Sequence, residues 1–260
     1  MIGITEAQIL EWLNPLLWPF IRCLALFAGM PLFSQRNVPV QVRVGLALFF
    51  SLAAQPSLPA MPVIPLDSPG LMLTLVAQQL VIGLAMGFAV RLVFAALEFA
   101  GEIVGLQMGL NFAGFFDPGT GMQGTATARF FGTLVAFLFV AIGGHLMLIQ
   151  ALAQSFHAFP VGPEPFAFVR QAQPQTWGAE IFRAGLWIAL PVVVLLLFVN
   201  LALGIVARVA PQMNVFAVGF PLTVTLGLIG LLATLPLMQA PLEAVLTRLL
   251  AGFTGPRAPA

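Results

Sequence analysis

Charge is what this sequence has least of. Only 7% of its 260 residues are Asp, Glu, Lys or Arg, against about 25% in soluble domains, and none is a lysine. So few ionisable side chains cannot coat a water-facing surface. With 60% hydrophobic residues and a mean hydropathy of +1.03, the chain reads as a membrane protein. A net charge of +1 without lysine excludes nucleic acid as a partner, because displacing counterions from phosphates needs a clustered basic face. Cysteine is nearly absent. Cys23 cannot form an internal disulfide and lies inside the first apolar run, where it reads as a small buried hydrophobe. Reactive motifs are missing too: no Cys, His and carboxylate cluster has metal spacing, and no G-x-S-x-G, H-E-x-x-H or Gly-rich loop ending in Lys-Ser/Thr occurs. The residues therefore point to no enzyme, no metal and no cofactor. His145, in "VAIGGHLMLIQ", reads as hydrogen-bonded packing rather than as a ligand.

Long apolar runs fill the space that charge leaves. A hydrocarbon core of about 30 Å needs about 20 helical residues, and six stretches reach or approach that length: 12–33, 42–54, 71–90 running on to about 110, 130–156, 184–207 and 215–242. No period-2 alternation suggests a membrane β-barrel, so the expected fold is all-α, with about six long hydrophobic helices. Two Pro-rich connections interrupt them, at about 55–70 and 157–180; the second carries Glu164, Arg170 and Glu180 and should lie at an aqueous face. Thr5 followed by Gln8 is a capping-box pattern for a helix start. Glu6 and Glu11 precede the first basic residue, Arg22, the reverse of a secretory signal, so the first apolar run is expected to remain in the mature protein. Arg36 and Arg43 would mark one loop as cytoplasmic, but Arg170, Arg183, Arg248 and Arg257 do not fit that side by simple alternation. Either the spans are ordinary with a weak bias, or they are helical hairpins buried in an assembly.

Along 71–116 a helical pitch of 100° per residue gathers Gly87, Arg91, Glu98, Glu102, Gly105 and Gly109 within about 60° of one another. Three readings follow. Arg91 and Glu98 could pair internally at a membrane boundary. The stripe could instead face other chains or an aqueous lumen, since intramembrane charges seldom face lipid and glycines let helices approach. A proton relay through Glu98 and Glu102 is the third, with no histidine or further carboxylate on the stripe to extend it.

"GLNFAGFFDPGTGMQG", 109–124, holds five glycines, one proline, three phenylalanines and a single charge. Backbone that cannot pair with itself costs several kcal/mol per group in hydrocarbon, so it is tolerated only against protein or a water-filled cavity. Gly114, Gly119 and Gly121 make the segment permissive, while Leu110, Phe112, Phe115, Phe116 and Met122 make it water-repelling; Asn111 lies among them. Asp117 before Pro118 reads as a turn initiator first and a functional carboxylate second. Such a loop can act as a plug that closes a pore by dewetting and yields to a passing chain, or as a re-entrant loop that packs the bundle.

"GEIVGLQMGLNFAGFFDP" (101–118), "GGHLMLIQALAQSF" (143–156), "ALPVVVLLLFVNLALGIVARVAPQMNVFAVGFPL" (189–222) and "VPVQVRVGLAL" (38–48) resemble the FliR/SctT family, the R-type subunits of type III export gates, here of flagellar type. "PQMN", 211–214, followed by "FAVGFPL" is the most specific part. The resemblance spans nearly the whole chain and implies one export-gate membrane domain over 1–260. It implies one copy per complex, assembled with P-type and Q-type subunits and the B-type switch subunit at the flagellar basal body in the bacterial inner membrane. Helical hairpins wound with partners would explain the failed orientation rule. It maps the plug onto about 110–124 and places Glu98, Glu102, Arg129 and Arg208 at inter-subunit contacts. Unfolded export substrates would be the cargo. The stretch after Leu242 is brief for the family. The rival reading, a secondary transporter of small solutes, requires an inverted repeat and convergent polar groups at the midplane; neither is found in the sequence.

Overall fold

The computed structural model describes residues 6–34, 38–61, 68–110, 126–162, 164, 167–212 and 214–254. Every described element is helical: α1 (Glu6–Gly29), α2 (Pro31–Ser34), α3 (Val40–Ala54), α4 (Pro69–Gln107), α5 (Ala126–Ala141), α6 (Gly144–Ala158), α7 (Ala167–Ala172), α8 (Gly178–Val209), α9 (Val215–Thr234) and α10 (Gln239–Thr254). The protein is an all-α membrane protein, and each of the six apolar stretches is helix. Not every stretch is a membrane span. Among the described residues three helices are long and apolar enough to cross, or up to four if one bent pair counts as a span. α3, with 15 residues, rises only about 22 Å, short of the hydrocarbon core. The 130–156 stretch is not one rod, because Gly143 stands at φ 70° between α5 and α6.

Two compact units divide the chain: Met1–Arg91 with Gly143–Trp177 and Leu246–Ala260, and Leu92–Ile142 with Gly178–Val245. In the first, α1 packs on α3 and meets α4 backbone to backbone. A Cβ at Gly87 would lie 2.6 Å from the Leu26 carbonyl oxygen and 2.8 Å from Gly29 Cα, and one at Gly83 would strike the Arg22 carbonyl. Lipid tails are as apolar as leucine, so close van der Waals contact at small residues, rather than exclusion of water, holds such a crossing together. The Pro-rich connection folds onto this unit through its rings. Phe168 stacks on Phe253 at 5.0 Å and meets Phe159 edge-on at 5.2 Å, and Trp177 leans on Phe253. Two of its three charges stay outside: Glu164 and Arg170, joined at 3.0 Å, are both more than two-thirds exposed.

In the second unit the C-terminal part of α4 is clasped by α5 and α8. Phe131 fills the space beside Gly101, and Gly185 lets α8 sit where a Cβ would lie 2.6 Å from Phe99 Cδ1 and 2.7 Å from the Ala96 carbonyl. α8 also packs on α9, where Leu195 closes over Gly230. Asn214 caps α9 by accepting from the Ala217 N–H at 3.3 Å, a local reason for the asparagine that ends "PQMN". Hydroxyls on these helices return to their own turn, as Thr225 does to the Pro221 carbonyl and Thr234 to the Gly230 carbonyl, which satisfies them without water.

Candidate functional site

α4 is unbroken from Pro69 to Gln107, so the charged stripe does share one helix. Its members differ in burial. Gly87 and Gly105 are buried, whereas Arg91, Glu98 and Glu102 are exposed. Arg91 makes no ion pair among the described residues. The internal Arg91–Glu98 pair is therefore not formed. In the second unit the Glu98 carboxylate lies over Gly132, with Oε1 3.0 Å from the place a Cβ would take. Arg129, one turn earlier on α5, and Arg208, in the last turn of α8, are both exposed.

The helix end that launches the glycine-rich segment is built from backbone alone. Gly109 adopts φ 80°, its N–H bonds the Leu106 carbonyl at 3.1 Å, and the Leu110 N–H reaches back to the Gly105 carbonyl at 3.0 Å. This is a Schellman ending with glycine at its left-handed position, and Gly109, expected on the helical stripe, instead stops the helix. Of the expected plug residues only Leu110 is described, half-buried; Asn111, Phe112, Gly114, Phe115, Phe116, Asp117, Gly119, Gly121 and Met122 lie outside the described residues. Beside that helix end is a groove of about 420 Å³, lined among others by Gln107, Asn200, Gly204, Gly219 and Thr223. A larger hollow of about 620 Å³ in the first unit is walled by leucines and phenylalanines of α1, α3 and α6, with exposed His145 on its lining. Cys23 lies in that wall as a free, fully buried thiol.

The most concentrated polar site involves a residue to which the sequence assigned no role. Arg22 is fully buried in the first unit. Its Nε donates to Gln79 Oε1 at 2.7 Å, Nη1 to Ser155 Oγ at 2.9 Å and Nη2 to the Phe159 carbonyl at 3.0 Å, while the guanidinium lies 3.7 Å from the centre of the Phe156 ring. Gln79 Nε2 passes the chain on to Gln78 Oε1 at 3.0 Å. All these acceptors are neutral and come from residues 57 to 137 positions away, so no spacing rule could have gathered them. Losing a partner here would leave a dry donor, at about 1–3 kcal/mol for a neutral group and more for a charged one. Among the described residues no group of three or more His, Cys, Asp or Glu could hold a metal ion.

A hydrophobic chain with a broken helix pair and charges exposed on apolar helices fits a subunit that meets other protein. Residues 13–249 match the family described as bacterial export proteins, family 1. The chain belongs to that family. The export protein is 44% identical over 243 residues to the flagellar biosynthetic protein FliR of Escherichia coli (strain K12), covering 92% of this chain and 90% of that relative. It is 41% identical over 241 residues to FliR of Pectobacterium carotovorum subsp. carotovorum, with the same shares covered. It is 34% identical over 236 residues to FliR of Bacillus subtilis (strain 168), covering 86% and 87%. Membership in this family favours export over small-solute transport.

Proposed function

We propose that this export protein is a non-enzymatic membrane subunit of the flagellar type III export gate, lining the passage of unfolded substrates and sealing it at rest with the segment 110–124. The observation that carries the reading is the exposure of Arg91, Glu102 and Arg208 on helices that are otherwise apolar. A charge facing lipid near the bilayer centre costs about 2.5–3.5 kcal/mol or more, so Arg91, near the middle of α4, is turned to protein or to water. By the family resemblance the neighbours are P-type and Q-type subunits and the B-type switch subunit, around one copy of this chain in the bacterial inner membrane at the flagellar basal body. Glu98, Glu102, Arg129 and Arg208 then lie at subunit contacts, whereas Gly105, expected beside them, is buried within the chain itself. The energy for export comes from outside the chain, from the proton gradient and an associated ATPase.

Deleting 111–121 tests the seal. The assembled complex carrying the deletion should still form and should conduct ions at rest in a planar bilayer, where the intact complex does not. Conductance equal to that of the intact complex would refute the stopper role and return the segment to bundle packing.

A further inference from the structure

Beyond α6 the Phe159 N–H still bonds back to the Ser155 carbonyl at 2.9 Å, while the carbonyls of Phe159 and Pro160 and the Gly162 N–H lie outside any helix, and each such polar group needs a partner. Two side chains from inside the bundle supply them. Arg22 Nη2 takes the Phe159 carbonyl; Gln78 Nε2 takes the carbonyls of Pro160 at 3.3 Å and Glu164 at 3.4 Å, and Gln78 Oε1 accepts the Gly162 N–H at 3.3 Å. Gln79 couples the two, accepting from Arg22 and donating to Gln78.

We propose that Arg22, Gln79 and Gln78 form a buried latch that pins Phe159, Pro160, Gly162 and Glu164 against α4, so that the position of the connection is set from within the apolar core. A guanidinium with only neutral acceptors has no carboxylate to follow if the helices shift. It is satisfied in one arrangement, the one that brings the Phe159 carbonyl, Ser155 and Gln79 together. These are positioning residues. Their effect is on where the connection's charged outer surface, with Glu164 and Arg170, is presented.

The test uses the full chain in its purified membrane complex, with Cys23→Ala and a reporter thiol introduced by Gly162→Cys, where a new Cβ would meet only the Pro160 carbonyl at 3.8 Å. Labelling by a water-soluble maleimide reads local release. Gln78→Leu and Arg22→Met should each speed labelling about tenfold, as expected for opening of one segment rather than of the fold. The effects of Arg22→Met and Gln79→Leu should not multiply, because the two side chains act through one hydrogen-bonded chain. In parallel, the native Cys23 of each variant lacking the reporter should stay unlabelled, which separates release of the segment from unfolding of the unit. If Arg22→Met fails this control, Gln78→Leu carries the test, since it leaves the Arg22 contacts in place. Labelling of the folded Gln78→Leu variant at the parent rate, or independent multiplication of the Arg22 and Gln79 effects, would overturn the latch.

Discussion

Gly143 and Gly87 are both glycines for want of a side chain, yet for different physical reasons. At Gly143 the backbone is left-handed and the nearest atom to a new Cβ is Leu146 Cδ1 at 3.9 Å, so space is plentiful and only conformation resists. Gly143→Ala should destabilise the purified complex by about 1 kcal/mol, and Gly143→Asn by less, because asparagine tolerates this region; apparent melting temperatures in detergent would rank the three. Equal melting of all three would show that the bend does not depend on this residue. Arg22 marks the limit of reading residues one by one. In the sequence it is a single charge in an apolar run with no carboxylate nearby on its helix, and nothing in helical spacing predicts that a glutamine of α4, a serine of α6 and a carbonyl beyond α6 converge on it.

Helix identity was readable because composition and length decide it: apolar runs flanked by prolines became α4 and α8 close to where they were expected, while the 215–242 run ends its helix at Thr234, before Pro236, and resumes as α10 at Gln239. Helix interruption was not. The Gly143–Gly144 pair carries no polar signal, and within 130–156 it reads as one more pair of small residues in a continuous span, though it separates α5 from α6. The α1–α4 crossing was also hidden, since the stripe argument placed Gly87 among charges whereas it faces Gly29 and Leu26. Gly87→Leu should therefore wedge the two helices apart, at about 1–3 kcal/mol for an overpacked contact, while Gly45→Leu on α3, where a Cβ meets nothing within 4 Å, should be near neutral. Thermal unfolding of the two variants side by side checks this, and similar melting points would mean the crossing yields without strain.

For the whole molecule, what binds partners must differ from what folds the chain. Only 22% of the most apolar window of α8 is buried within the protein itself, and Trp187, Phe198, Leu201 and Val209 stand well exposed. In lipid such a face gains no hydrophobic drive toward another helix, so shape and the few exposed charges must supply selectivity. Replacing Glu98 and Glu102 together by glutamine should accordingly weaken co-purification with the partner subunits while leaving the chain in the membrane; undiminished recovery of the partners would remove that stripe from the interface. Fold class and membrane character were legible from composition, and the family from extended motifs. The pairing of distant segments into two units was not, because it rests on contacts such as Phe168 with Phe253.

The elbow at Gly143 bears on how such a chain is made. The backbone stays paired there, with the Ile142 N–H on the Leu138 carbonyl and the Gly143 carbonyl accepting from Leu146 and Met147, but the rods on either side, of 16 and 15 residues, are each shorter than the roughly 20 residues a hydrocarbon core needs. Neither rod alone is long enough to be released into lipid as a span, so an insertion machinery would be expected to hand the two on together.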